Sequence, residues 1–325
     1  RNLGRASYES NRAVVDDRLI VMVNRKARYE SRNFRLTTSW STHSMTDAVR
    51  DLIGKEIPCL DKGFVRLVDV MGDDDSIVQA ARVSYGSGTK KVHEDRGLIR
   101  YLMRHLHTTP FEMVEFKFHV KLPIFVARQW IRHRTANVNE YSGRYSEMKD
   151  EFYVPSTENI RPQSTTNKQG RSDETFPPDV VNSMAAQMES TQVKLYDEYR
   201  ELLEAGMARE LARINLPVSN YTEWYWKIDL HNLFHFLRLR IDDHAQYEIR
   251  VYGEALASIV RAAVPVAYEA FEDYILRAEK FSAPELRALA SVLGPNIPSE
   301  EGLAEFGLKG REAREFLGKL ERLKQ

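Results

Sequence analysis

Alternating apolar and polar residues in the middle of the chain predict strands. The pattern is clearest over residues 114–121, where four apolar positions are separated by polar ones: Val114, Phe116, Phe118 and Val120 against Glu115, Lys117, His119 and Lys121. A period of two is typical of a half-buried strand. Residues 64–70 are predicted to form a second strand.

Helical spacing dominates elsewhere. Apolar residues from Leu98 to Leu106 recur every three or four positions, and Pro123 is well placed to begin a helix that runs through Ile131. After Val180 the pattern predicts helices almost throughout to about Ala278, with interruptions near two prolines, and shorter charged helices follow from residue 284.

The proline-rich stretch 152–178 predicts a long loop, of the kind that often serves as a lid or binding loop. Together these patterns predict an α+β fold with a small mixed or antiparallel sheet and a largely helical C-terminal half. We divide the chain into an N-terminal extension (1–60), a central domain (61–280) and a helical C-terminal tail (281–325).

Composition narrows the function classes. The 325 residues are 42% hydrophobic, enough for a sizeable core, and 47 basic residues balance 47 acidic ones. A neutral chain has no global basic field for nucleic acid, so any anion site must be local. The single cysteine, Cys59, excludes an internal disulfide framework and fits a reducing cytoplasm. The apolar run 19–23 is too short for a membrane span, so we expect no membrane association.

The densest polar cluster follows the helix predicted after Pro123. Nine polar residues fall within sixteen positions: Gln129, Arg132, His133, Arg134, Asn137, Asn139, Glu140, Ser142 and Arg144. Three consecutive cationic or titratable side chains cannot share one helix face, so residues 132–134 should fan out toward different groups of a large anion. Guanidinium groups match phosphate bidentately, and Gly143 lets a ligand approach the backbone. The alternative is a solvated basic turn.

A second cluster lies on the helical stretch predicted after Pro217. It interleaves aromatic residues with Arg213, Asp229, His231, His235, Arg238, Arg240, Asp242, Asp243, His244 and Arg250. His231 and His235 are four residues apart, which is also the spacing of two zinc ligands on a helix, but there is no HExxH motif. A structural role for the histidines is therefore favoured over a metal site.

Two further segments contain residue types that also occur in ligand sites. His105, His107 and Thr109 stand between a predicted helix and the alternating strand, where polar groups can act as caps or as ligands. Gly86 and Gly88 fit neither the dinucleotide nor the Walker pattern, so a flexible turn is predicted there instead of a phosphate loop.

These motifs resemble the flavin-dependent thymidylate synthases, whose signature is Arg-His-Arg, seven residues, then Ser. Here it reads Arg132-His133-Arg134, seven residues, then Ser142. The resemblance covers about residues 63–276 and includes further blocks in the same order: Ala81–Ser84, His107–Glu112, Ala212–Arg213, Leu216–Pro217, Tyr221–Thr222 and Phe236–Ile249. Several ordered blocks are far more specific than one short motif.

The resemblance implies a cytoplasmic homotetramer that holds FAD between subunits and converts dUMP into dTMP. NADPH would reduce the flavin, and methylenetetrahydrofolate would supply the carbon. No metal ion, nucleic acid or membrane is implied.

Residue roles follow position by position from the resemblance. FAD contacts are implied for Ser84, Thr109, Arg132, His133, Arg134, Glu140, Asp229, His231 and His235, with His107 near the folate and NADPH side of the flavin. Contacts to dUMP are implied for Gln129, Arg132, Glu140, Ser142, Gly143, Arg144, Arg213 and Arg240. Met113, Asp229 and His231 depart from residues common in the family.

Arg240 is implied to be the catalytic residue that activates the uracil ring. A guanidinium is always protonated, so it can stabilise an anion at uracil N3 but cannot act as an ordinary base. Ser142 is predicted to orient the nucleotide, because no histidine is placed to activate it as a nucleophile.

Two other functions are considered beside this one. A metal-dependent nucleotide hydrolase would use His231, His235, Asp242 and His244. A non-catalytic RNA-binding protein would use the arginine and aromatic clusters, although the neutral charge argues against it.

Overall fold

The computed structural model describes residues 47–83, 95–166, 169–293 and 298–323. Within them, five antiparallel strands form one sheet in the order β1-β2-β3-β5-β4. The strands are β1 (Glu56–Cys59), β2 (Gly63–Met71), β3 (Glu115–Pro123), β4 (Asn137–Glu140) and β5 (Tyr221–Asp229). The α+β prediction with a small sheet is therefore confirmed.

Helices cover one face of the sheet and form most of the C-terminal half. They are α1 (Asp47–Arg50), α2 (Asp74–Val83), α3 (Asp95–Arg104), α4 (Ile124–Trp130), α5 (Pro178–Glu204), α6 (Arg209–Ala212), α7 (Leu230–Arg240), α8 (Tyr247–Ala263), α9 (Pro265–Phe271), α10 (Ala283–Leu293), α11 (Glu300–Ala304) and α12 (Gly310–Leu323). A π-helical turn, Glu272–Leu276, continues α9.

The core lies between the sheet and α4, α7, α8 and α9. Phe116, Phe118 and Val120 of β3 are fully buried, whereas the intervening residues, including His119, face the opposite side and stay half-buried. The alternation predicted for this strand is thus confirmed. Apolar burial of this kind provides the main driving force for the fold.

The prediction of helices almost throughout after Val180 is wrong for residues 221–229, which form β5, the strand between β3 and β4. Thr222, Trp224, Trp226 and Ile228 are buried, and the residues between them are more exposed. That is the period-two pattern of a strand, carried by aromatic and β-branched residues that favour sheets.

Between α4 and α5 the chain forms the predicted long loop. Among described residues 152–177 there are only a short 3₁₀ turn at Thr157–Asn159 and two isolated bridges. The predicted turn at residues 85–90 and the apolar run 19–23 lie outside the described residues. No helix in the described segments is both long enough and apolar enough to cross a bilayer. Residues 56–59 pair with β2, and the domain boundaries stay predictions.

Candidate functional site

Strand pairing brings the two main polar clusters side by side. In β4, Asn137 lies opposite Lys227 and Glu140 opposite Trp224 of β5. β5 runs directly into α7, because Asp229 ends the strand and caps the helix. The signature segment and α7 therefore form one surface, although about ninety residues separate them in the chain.

His133 lies where this surface meets the core. α4 ends at Trp130, and the chain then turns so that His133 is half-buried between exposed Arg132 and Arg134. Its ring packs edge-on against Phe236 of α7, with centroids 4.8 Å apart, and lies 5.5 Å from the ring of His235. That residues 132–134 point toward different groups of a ligand stays a prediction.

The surroundings of His133 keep its imidazole neutral. Burial, the positive charge of Arg240 and the nearby His235 together lower the pKa of His133 to about 4, with burial the largest cause. Burial also lowers the pKa of His235, and the neighbouring Arg238 and His231 add to that effect. At neutral pH these rings offer neutral donors, acceptors and aromatic faces to a ligand.

Arg240 at the end of α7 is half-buried, and not all of its hydrogen-bond donors have a partner in the described chain. Its Nε is buried without a hydrogen-bond partner in the described chain. Burial lowers the pKa of this guanidinium, and the charge of Arg132 lowers it further. Neither of these two arginines, nor Arg213, has an ion-pair partner among the described residues. In a chain of zero net charge, cations without an ion-pair partner can attract an anionic ligand locally.

Gly143 forms a close contact with Arg213. A Cβ at this buried glycine would lie 2.8 Å from the Sδ of Met148 and 3.0 Å from the Cδ of Arg213. The missing side chain therefore lets the Arg213 guanidinium lie against the backbone of the signature segment. Arg144 is more exposed, and its Nε donates to Glu210 Oε2 at 3.2 Å.

The other predicted nucleotide residues surround this point. Thr222 of β5 donates through its hydroxyl to Glu140 Oε1 at 2.8 Å, which fixes that carboxylate on the sheet edge. The Ser142 carbonyl accepts from two following backbone N–H groups, so its residue starts a tight turn. No histidine is hydrogen-bonded to Ser142 in the described part of the chain. Gln129 is half-buried on α4.

A cavity of about 670 Å³ lies along one face of α7. Its walls include His231, His235 and Arg238 from α7 and Phe111 from the 3₁₀ turn before β3. Asp229 at the helix start is already engaged, because its carboxylate accepts from the backbone N–H of Asn232 at 2.9 Å. It is the N-cap of α7.

The residues proposed for a metal-dependent hydrolase are not grouped as ligands. Asp242 and His244 bond each other at 3.0 Å beyond the end of α7 and are exposed. Across the described segments, no three His, Cys, Asp or Glu side chains are arranged to hold a metal ion.

Comparisons with known proteins agree with the resemblance. Residues 66–266 match the family model described as "Thymidylate synthase complementing protein". The flavin-dependent thymidylate synthase of Treponema denticola is 56% identical over 266 residues, which cover 82% of this chain and 97% of that protein. The enzyme of the same name from Thermus thermophilus is 57% identical over 264 residues, covering 81% and 95%.

This chain belongs to the flavin-dependent thymidylate synthase family.

A solved structure supports the same fold. The UMP/dUMP methylase PolB from Streptomyces cacaoi, bound with 5-Br UMP, superposes with a TM-score of 0.61 at 34% identity. The match covers 69% of this chain and 99% of that one.

No contact in the described structure links the remaining predicted positions to this group of residues. His107 and Thr109 are exposed between α3 and the 3₁₀ turn, and the His107 ring lies 5.7 Å from that of Tyr101. Ser84 lies outside the described residues. Sequence reasoning assigned no role to Phe236 or Thr222, although both fall in matched blocks. Only the tertiary contacts reveal them: Phe236 packs against His133, and Thr222 donates to Glu140.

Proposed function

We propose that this protein converts dUMP into dTMP, with FAD as the hydride carrier. The observation that carries the proposal is the group of uncompensated arginines, Arg132, Arg213 and Arg240, at the edge where the signature segment meets α7. Family membership supplies the reaction, and these cations supply a site for its anionic substrate.

The nucleotide phosphate would bind to Arg213, Arg144 and Gln129 beside Gly143. The absent Cβ of that glycine leaves room for Arg213 to lie against the turn that starts at Ser142. Arg144 would exchange its exposed contact with Glu210 for the phosphate, a bidentate match that suits guanidinium groups. Glu140, Ser142 and Arg132 would hold the sugar and base.

Arg240 would stabilise the negative charge that develops on the uracil ring. Its partly buried guanidinium has a donor, Nε–H, that is free within the described chain. A donor already placed and desolvated needs no reorganisation when charge develops, and such groups are the largest contributors to many enzymatic rate accelerations. The fixed positive charge excludes ordinary base catalysis by this residue.

The residues present fit a flavin dinucleotide. His133 and His235 offer aromatic surface to a planar ring, and the adjoining cavity is lined by apolar side chains and by both basic and acidic ones. Arg132, His133, Arg134 and Glu140 would contact FAD on one side, and His231, His235, Thr109 and Ser84 on the other. When bound, FAD supplies the hydride that completes the methyl group. NADPH would reduce it, and methylenetetrahydrofolate would enter near His107.

We further propose a cytoplasmic homotetramer with FAD held between subunits. Large apolar side chains beside the ligand residues are exposed in the single chain: Ile131 is 50% exposed, Ile214 72% and Tyr145 78%. Exposed apolar groups that surround a binding site are typical of an interface, because isolated subunits rarely keep them in water.

The absorption spectrum of the purified protein, with and without dUMP, tests cofactor and substrate together. We expect a flavin spectrum that NADPH bleaches faster when dUMP is present, and dTMP formation once methylenetetrahydrofolate is added. A protein that cannot be reconstituted with FAD would overturn the proposal. Metal analysis and chelator treatment, expected to leave activity unchanged, separate it from a metal-dependent hydrolase.

A further inference from the structure

The cavity beside α7 has a wall that the matched family region does not contain. The match ends at residue 266, yet α12 lies on the far side of the cavity and contributes Glu312, Glu315, Phe316 and Lys319 to its lining. The same cavity is lined by His231 and His235. A helix of the C-terminal tail therefore faces two positions that the proposed function assigns to the flavin.

Side-chain bonds hold α12 in this position. Glu315 accepts from the Nε of Arg104 at 2.8 Å and lies 3.1 Å from the Nε2 of His105. Glu312 accepts from the hydroxyl of Tyr274 at 2.7 Å. Ala313 between them is fully buried. One side of α12 therefore packs against α3 and the π-helical turn. These contacts hold this wall of the cavity in place.

The cavity lining holds four acidic and four basic side chains, and most of the acidic ones are already engaged. Glu312 accepts from Tyr274, Glu315 from Arg104 and Asp273 from Arg100. Among the residues that the structure describes, Arg238, Lys280 and Lys319 line the cavity without an ion-pair partner, and Glu279 is the lining carboxylate in the same condition.

The chemistry of the lining selects an anion with an aromatic part. Three unpaired cations outnumber one unpaired carboxylate, and Phe111, Phe234 and Phe316 supply apolar walls. A volume of about 670 Å³ falls in the usual range for small-ligand sites, about 300–1,000 Å³. The ring contact between His235 and His133 connects this cavity with the group that contains Arg240.

We infer that α12 forms the third wall of the flavin site, with Lys319, Lys280 and Arg238 binding the adenosine diphosphate half of FAD and Phe316 packing against it. The inference rests on the proposed function, since it takes FAD as the cofactor. It gives the tail a role in cofactor retention. NADPH carries the same adenosine diphosphate chemistry, so the test must separate the two dinucleotides.

The test measures FAD affinity directly. Apo-protein is titrated with FAD, and the Kd is read from quenching of flavin fluorescence for the wild type, Lys319→Gln, Lys280→Gln and the double variant. Each lost cation should weaken FAD binding by roughly fivefold, as expected for an exposed charge contact, and the double variant by about 25-fold. Melting temperatures of the apo-proteins should not change, because neither lysine bonds another described residue.

Lys309→Gln is the matched control, since it removes the same charge from an exposed tail position that does not line the cavity. Its FAD affinity should equal that of the wild type. Unchanged FAD affinity in the double variant overturns the inference. If that variant instead raises the KM for NADPH, the cavity binds the reductant and the inference is also wrong. Failure of the wild type to bind any flavin would refute the proposed function itself.

Discussion

At the scale of single residues, Arg240 makes the sharpest prediction. Its Nε–H is buried without a partner in the described chain, and Arg132 is close enough to lower its pKa. We expect Arg240→Ala to lower kcat for dTMP formation by roughly 100- to 1,000-fold, the usual effect of removing a pre-placed donor. FAD binding should persist. Thermal stability should not fall, because the substitution also removes the repulsion between Arg240 and Arg132. Steady-state kinetics, flavin content and a melting curve check the three parts.

Ser142→Ala is the contrasting variant. The described structure gives the serine hydroxyl no histidine partner, so we expect measurable turnover, with the KM for dUMP raised more than kcat is lowered. A serine variant that binds dUMP normally but forms no product would indicate a nucleophilic role instead.

His133 should make the stability of the apo-protein depend on pH. Its pKa is about 4 in the folded chain, below the ordinary value of about 6.5 that applies on unfolding. Between these values the unfolded chain binds a proton that the folded chain does not, so stability is complete above pH 6.5 and falls toward pH 4. Allowing for partial solvent screening, the loss should be about 1–2 kcal/mol.

The measurement is urea unfolding of apo-protein at pH 7.5 and pH 5. The wild type should lose more stability over this interval than His133→Gln, which cannot titrate. Equal losses would mean that other groups account for the acid sensitivity.

Gly143 tests the contact with Arg213. An added methyl group would come within 3.0 Å of that side chain and of Met148, both of which can move. Gly143→Ala should therefore displace Arg213 and raise the KM for dUMP by about tenfold, with little change in stability. Gly97→Ala is the control, because nothing lies within 4 Å of its added Cβ and its helix should tolerate alanine. Equal KM values for the two variants would contradict the assigned contact.

At the scale of elements, Asp229 acts as the N-cap of α7 in the absence of any ligand. Its carboxylate accepts from the backbone and side-chain nitrogens of Asn232 at 2.9 and 2.7 Å. Asp229→Ala should cost about 1 kcal/mol of unfolding free energy, whereas Asp229→Asn, which keeps an acceptor, should cost only a few tenths. Urea titrations compare the two. If both variants lose the same stability, the negative charge at the helix start matters more than the hydrogen bond.

The elements that sequence reasoning found and missed differ in a physical way. β3 was predictable because its polar and apolar residues alternate strictly. β5 is an interior strand, paired on both sides, and Tyr221 and Thr222 are both buried, so strict alternation fails at its start. The end of α3 could not be predicted from sequence either. Leu106 takes the left-handed conformation (φ 57°) there, which glycine usually adopts at the end of a helix.

At the scale of the whole molecule, the site residues could be named from sequence but their arrangement could not. Local pattern does not reveal that β4 pairs with β5, and this pairing is what sets His133 against Phe236. The wall that α12 contributes to the cavity was missed for the same reason, since its residues meet α3 only through tertiary contacts such as that between Glu315 and Arg104. Both arrangements depend on contacts between residues that are far apart in the sequence, and a short stretch of sequence does not contain them.

The proposed assembly gives the last prediction. If FAD is held between subunits, dilution should release flavin over the same concentration range in which the tetramer dissociates, because each event removes part of the other's binding free energy. Mass photometry and flavin fluorescence on one dilution series should give superimposable curves. Ile214→Glu, which places a charge on a side chain 72% exposed in the single chain, should shift both curves to higher protein concentration. Val292→Glu changes an equally exposed residue in α10 and should shift neither. Flavin that stays bound to a monomer would show that one chain completes the site.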